Sequence, residues 1–229
     1  MSSKLIIALD YSTADEALRF VRLLSPNLCR LKIGFELFIV SGPDLVKKLV
    51  DMGFDIFLDL KFHDIPNTVA SACRAASGLG VWMMNVHASG SDVMMRTAKQ
   101  ALIDCDSSVK LIAVTILTSM DAQQLSKVNI AYQPNEQVKH LATLTQKSGL
   151  DGVVCSAQEA KILRRQHGKE FLLVTPGIRP EGSEKGDQKR IMTPAQAYNA
   201  GVSYIVVGRP ITQSDEPLKV IEEINNDMS

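Results

Sequence analysis

The chain has 229 residues, with 25 Lys and Arg set against 25 Asp and Glu, for a formal net charge of zero. That length holds one large domain or two small ones. The charge balance leaves no basic stripe for nucleic acid, so any anion must be held by a few local cations, and no apolar run approaches a membrane span.

The elements alternate strand and helix from the start. Residues 4–9 form a short apolar strand stopped by Asp10, too short and too soon interrupted for a signal peptide. Thr13 then caps a helix, with Glu16 three residues on completing a capping box. Residues 29–33 form the next strand, broken by Gly34. Residues 43–52 are helical and Gly53 ends them. Residues 54–59 are the third strand, and 66–77 its Ala-rich helix. Residues 81–86 lead into His87-Ala-Ser-Gly90, and a helix covers 92–103. Residues 109–116 are a long apolar strand ending at Leu117-Thr118-Ser119, followed by helical pieces over 121–127 and 135–147. The pattern then tightens: strand 152–155, helix 157–167, strand 171–174, helix 193–200, strand 204–207 and helix 216–224.

Eight strands, each followed by helical material and mostly apolar on both faces, predict a parallel sheet covered by helices. In a chain of this length that is an α/β protein with a single (β/α)8 barrel, a TIM barrel, over residues 1–229. A doubly wound open sheet is the alternative, but its first strand is often followed by Gly-x-Gly-x-x-Gly; here the strand ends in Asp10-Tyr-Ser-Thr13. No Pro/Ser-rich or low-complexity block marks a linker. Cys29, Cys73, Cys105 and Cys155 lie far apart with no Cys-x-x-Cys pair, and read as reduced thiols of a cytoplasmic protein, most of them in apolar surroundings.

Chemistry in such a barrel sits at the C-terminal ends of the strands. The residues there are Asp10, Lys32, Asp59 with Lys61, His87, Thr118 with Ser119, Arg179 and Arg209. Asp59 and Lys61 are two apart, so an extended strand turns both to one face. Asp64 follows, and Pro66 sets the first helical turn behind Ile65, a poor N-cap. Asp64 and Thr68 flank that helix start beyond what capping needs. In the seventh and eighth loops, Gly177, Arg179, Gly208 and Arg209 suit a phosphate, which barrels commonly bind there. Between them residues 180–190 carry Gly182, Gly186 and six charged residues, a composition that suits a lid. His63, His87, His140 and His167 lack metal-ligand spacing.

The run Asp59-Leu-Lys-Phe-His-Asp-Ile-Pro-Asn-Thr68 closely resembles the signature of the orotidine 5′-phosphate decarboxylase family. Ala8-Leu-Asp10, Leu31-Lys-Ile-Gly34, Val86-His-Ala-Ser-Gly90, Leu117-Thr-Ser119, Thr175-Pro-Gly-Ile-Arg179 and Val206-Val-Gly-Arg-Pro-Ile-Thr212 resemble its other motifs, in the family's order. Ser91 departs from the second Gly of many relatives, a change that concerns a turn. The resemblance implies decarboxylation of orotidine 5′-phosphate to uridine 5′-phosphate without metal or other cofactor, by a homodimer with sites at its interface. It further implies that Lys61 is the proton donor. Lys32, Asp59, Lys61 and Asp64 make an alternating charge network, Asp64 and Thr68 arriving from the partner. Asp10 and Lys32 hold ribose hydroxyls, while Ile65, Thr118 and Ser119 complete the substrate pocket, with Thr118 beside the pyrimidine. Arg179, Gln188, Gly208 and Arg209 hold the phosphate end. Two rival readings are a magnesium-dependent keto-gulonate phosphate decarboxylase, which shares Asp-x-Lys-x-x-Asp, and a non-catalytic nucleotide-binding barrel.

Overall fold

Strands that are apolar on both faces have to be covered on both, and closing the sheet on itself does this for the inner face. A computed structural model describes residues 3–181 and 192–228. Its strands are β1 (Leu5–Ala8), β2 (Arg30–Ile33), β3 (Ile56–Phe62), β4 (Met83–His87), β5 (Lys110–Val114), β6 (Gly152–Val154), β7 (Leu172–Thr175) and β8 (Tyr204–Val207). All neighbours pair in parallel, and β8 returns to β1 with Leu5 opposite Ile205, closing the barrel in sequence order. The expected (β/α)8 barrel is the observed fold.

Ile6, Ala8, Phe57, Met83, Ile112, Val174 and Val206 fill the barrel interior. A larger apolar layer, including Leu5, Ile7, Leu31, Ile33, Leu58 and Met84, packs between strands and helices. The lower end is sealed by Arg30, whose guanidinium lies 4.5 Å from the Trp82 ring centroid and 5.0 Å from that of Tyr204, and pairs with Asp55 at 3.1 Å. The upper end is left for a site.

The helices are α1 (Ala14–Val21), α2 (Phe35–Asp51), α3 (Pro66–Ser77), α4 (Ser91–Ile103), α5 (Ala122–Lys127), α6 (Pro134–Lys147), α7 (Ala157–His167), α8 (Pro194–Asn199), α9 (Arg209–Thr212) and α10 (Pro217–Asp227). Thr13 caps α1 as expected, its hydroxyl oxygen accepting the Glu16 N–H at 3.3 Å, but the expected capping box is incomplete: the Glu16 carboxylate accepts from the Thr13 hydroxyl at 2.8 Å instead of from the Thr13 backbone N–H. Three further expectations need correction. Helix α2 begins eight residues before Pro43, because Gly42 at φ 63° absorbs a kink that joins two helical pieces. Strand β3 runs on to Phe62 instead of ending at Asp59, so the charged residues lie within it. A single helical turn, α9, follows β8 directly.

Cys29, Cys73 and Cys155 are buried thiols outside any disulfide, and burial pushes the Cys29 and Cys73 thiols up to about 12. Cys105 differs in being exposed. Among the described residues no helix is long and apolar enough to cross a membrane.

Candidate active site

The first three strands build an ionic wall. Lys32 pairs in register with Ala8 on one side and Phe57 on the other, both interior residues, so its side chain also enters the barrel. Its ammonium lies 3.4 Å from Asp10 Oδ1 and 3.3 Å from Asp59 Oδ2. The other Asp59 oxygen, Oδ1, lies 2.8 Å from Lys61 Nζ. Charges therefore alternate without a break through Asp10, Lys32, Asp59 and Lys61. Asp59 and Lys32 are only 13% and 12% exposed in their side chains, so water screens this chain less than an ordinary surface pair. Gly34 keeps the backbone clear of it, since a Cβ there would lie 3.3 Å from Lys32 Nζ.

Asp59 and Lys61 converge by a route that simple alternation along a strand does not supply. Lys61 sits at φ 46°, in the left-handed region. Leu58 pairs with Met84 and Phe62 with Val86, so Asp59, Leu60 and Lys61 together stand opposite Asn85 alone. This is a bulge in β3, a device that re-aims side chains. Asn85 is fully buried. Its Oδ1 accepts the Lys61 backbone N–H at 2.7 Å, and its Nδ2 donates to Asp59 Oδ1 at 2.7 Å. Asn85 is not among the residues expected from the sequence. Its signal was a lone carboxamide inside an apolar strand, a group that must find buried partners.

The ionic wall faces a cavity of about 380 Å³. Asp10, Lys32, Asp59 and Lys61 line one side, while Val114, Ile116, Val154 and Val174 line an apolar side. Thr118 and Ser119, just past β5, also reach it. Pro176, Gly177, Arg179, Gly208 and Arg209, from the loops after β7 and β8, complete the lining. Arg179 is buried, with its Nη1 donating to Ile178 O at 2.9 Å. Burial first, then the nearby charge of Arg209, push its guanidinium down from its ordinary pKa. Two cations converging on a cavity form a natural anion site. Helix α9 is one turn long, so its dipole adds little and the arginines carry most of the positive charge.

Nine of the expected site residues thus share one cavity. Asp64, Ile65 and Thr68 do not line it. They are exposed where β3 leads into α3, with the Asp64 carboxylate accepting the Ile65 N–H at 2.6 Å. Ile65 makes no side-chain cap, as expected, and is 68% exposed. Gln188, with residues 182–190 of the expected lid, lies outside the described residues. The Arg179 N–H donates to Met192 O at 3.0 Å, which ties the two flanks of that segment together. His87 ends β4 with its ring 5.5 Å from that of His63. Burial, His63 and Lys61 lower its pKa, against a smaller opposing pull from Asp59.

Residues 3–224 match the profile described as "Orotidine 5'-phosphate decarboxylase / HUMPS family". The chain is 59% identical over 225 residues to the orotidine 5'-phosphate decarboxylase of Pseudoalteromonas translucida, covering 98% of this chain and 96% of that one. It is 56% identical over 225 residues to that of Escherichia coli O9:H4, covering 98% and 92%. The crystal structure of orotidine 5'-phosphate decarboxylase from Lactobacillus acidophilus superposes over the whole of both chains with a TM-score of 0.89 at 40% identity. A family match along nearly the entire barrel, with relatives more than half identical end to end, establishes that the chain belongs to the orotidine 5'-phosphate decarboxylase / HUMPS family.

Proposed function

We propose that the chain converts orotidine 5′-phosphate to uridine 5′-phosphate and carbon dioxide, the last step of de novo pyrimidine synthesis, and that residues 1–229 act as one catalytic domain. The observation that carries this reading is the charge chain ending at Lys61, set in a cavity that Arg179 and Arg209 also line. The names of the relatives point the same way.

Losing carbon dioxide from the pyrimidine leaves a carbanion in the ring plane, where the π-system cannot accept the charge. A fixed cation at that carbon must stabilise it. Lys61 is that cation and then the general acid, transferring a proton from Nζ to the ring carbon. Asp59 holds the ammonium in place at 2.8 Å and faces the departing carboxylate. Two like charges about 4 Å apart repel by about 4 kcal/mol at an effective dielectric near 20. Relief of that repulsion covers only part of the ~8–23 kcal/mol by which enzymes lower barriers. Binding of the phosphate by Arg179, Arg209 and Gln188, remote from the reacting carbon, supplies energy that orders the charges. The valine side of the cavity suits the flat face of the base, Thr118 and Ser119 its polar edge, and Asp10 with Lys32 the ribose hydroxyls.

In this reading the enzyme is a cytoplasmic homodimer. Phe35, Ile39 and Val40 of α2, together with Ile65, are large apolar side chains left exposed near the mouth, a surface that suits a second copy. Asp64, Ile65 and Thr68 then serve the neighbouring subunit's cavity. Buried thiols outside any disulfide suit a reducing compartment. The test is ultraviolet absorbance of orotidine 5′-phosphate mixed with purified protein. The expected outcome is a fall in substrate absorbance with one uridine 5′-phosphate formed per substrate lost; a stable spectrum overturns the reading.

A further inference from the structure

Lys61 combines two costly features. Its backbone is left-handed, a conformation that sterics disfavour for a residue with a Cβ. It also lies in a bulge, where the regular ladder between β3 and β4 is interrupted from Leu58 to Phe62. Such a conformation persists only where its surroundings over-determine it. Asn85 is the one residue of β4 opposite the bulge, and its side chain takes the place of the missing ladder partners.

The orientation of that carboxamide is fixed by chemistry. The Lys61 backbone N–H can only donate, so it must meet the amide oxygen, at 2.7 Å. An ionised Asp59 carboxylate can only accept, so it must meet the amide NH₂, at 2.7 Å. One planar group thereby fixes both the backbone that aims the Lys61 side chain and the oxygen that receives its ammonium, Asp59 Oδ1. Asn85 lies inside the barrel, opposite Ile112 of β5 and two residues beyond Met83, both interior residues. It is fully buried beneath the charge chain and is absent from the cavity lining, so it does not meet a ligand.

We propose that Asn85 is a positioning residue: it locks the Lys61 backbone and the Asp59 carboxylate into the one arrangement that places the ammonium at the reacting carbon. This rests on the decarboxylase reading above. Asn85 acts only through Lys61 and Asp59, so its removal leaves the phosphate and ribose contacts in place. The signature is a loss in kcat without a matching loss in binding.

The experiment compares wild type, Asn85→Ala and Asn85→Ser. It measures kcat and KM for orotidine 5′-phosphate, affinity for uridine 5′-phosphate, circular dichroism and thermal midpoint, with active sites counted by nucleotide titration. Asn85→Ala should lose about 10²-fold in kcat per site, the scale of a 1 Å misplacement, with KM and product affinity within about threefold of wild type. Asn85→Ser, which retains a hydroxyl and admits a water, should fold as the parent does and recover part of the loss. Amide hydrogen exchange at Lys61 should accelerate in Asn85→Ala, since that N–H loses its acceptor. Wild-type kcat per site in a folded Asn85→Ala protein would overturn the proposal. So would a loss that merely tracks a reduced folded fraction. Failure of wild type itself to turn over substrate would instead count against the decarboxylase reading.

Discussion

Lys61 Nζ sits 2.8 Å from Asp59 Oδ1 across a break in the very strand that carries both residues. The pair owes its geometry to the left-handed turn at Lys61, and Asp59 keeps a second cation, Lys32, at 3.3 Å. Lys61→Ala therefore leaves Asp59 partnered and no core packing disturbed, so the barrel should fold normally. Decarboxylation should fall by roughly 10⁴-fold or more, combining the loss of a general acid with that of a preorganised charge. Steady-state turnover of the folded variant checks this, and activity near wild type would remove Lys61 from the chemistry.

The arginine end predicts a substrate-dependent effect. Arg209 lines the same cavity as the ionic wall and lies close enough to depress the pKa of Arg179. A charge-assisted hydrogen bond contributes about 1.5–3 kcal/mol, so Arg209→Ala should lower kcat/KM on the nucleotide by roughly 10- to 150-fold. Activity on the nucleoside lacking phosphate should be low from the outset and little changed. Equal proportional losses on both substrates would place the phosphate elsewhere.

Much of this was legible in the sequence because barrels concentrate polar residues at one end of otherwise apolar strands. Asp10, Lys32, Asp59 and Lys61 stand out for that reason, and they do meet. The bulge was not legible. It depends on how many residues β4 sets against Asp59-Leu-Lys61, a cross-strand count that no local pattern contains. Asn85 went unread with it, because an amide in an apolar run does not name its partners. The early start of α2 was hidden by Gly42-Pro43, which looks like a helix boundary and is a kink. Asp64 and Thr68 were singled out by their motif, but the single chain leaves both outside the cavity.

Turnover should survive exhaustive chelation. The charge that develops at the ring carbon is met in the proposed mechanism by the Lys61 ammonium, a role a divalent ion would otherwise fill. Activity assayed after prolonged dialysis against a strong chelator should equal that of untreated enzyme. Loss of activity restored by magnesium would favour the metal-dependent decarboxylase chemistry.

Acid should destabilise the barrel through His167. Its ring is buried against Phe171, with centroids 5.0 Å apart. The Gln146 amide NH₂ donates to His167 O at 3.1 Å, which leaves Gln146 Oε1 to accept from His167 Nδ1 at 2.8 Å. That makes Nδ1–H the protonated position, and Nε2 is buried without a hydrogen-bond partner among the described residues. Burial lowers the His167 pKa from its ordinary value, so between the two values the unfolded chain binds more protons. Stability is thus full above about pH 6.5 and is lost as pH falls through the depressed folded value. His167→Phe should show a smaller drop in Tm than wild type between about pH 7.5 and pH 5. An identical drop in both proteins would exclude His167 as a source of the acid sensitivity.

Asp64 predicts the sharing of sites between subunits. It lies beyond the bulge, exposed, bonded to its neighbour's N–H and absent from its own chain's cavity. If it serves the partner's cavity, Lys61→Ala and Asp64→Ala homodimers each carry two broken sites. In a mixed dimer, one site draws both residues from the mutant copies and is doubly broken. The other draws intact Lys61 from the Asp64→Ala chain and intact Asp64 from the Lys61→Ala chain, and is whole. Random re-pairing of equal amounts across a two-fold interface makes about half the dimers mixed, each with one good site. Recovery should therefore approach about a quarter of wild-type activity after partial dissociation and mixing. The measurement is turnover of the mixture against each variant treated alone, with subunit exchange followed independently by a mass label. Full exchange without recovery would put Asp64 in the site of its own chain.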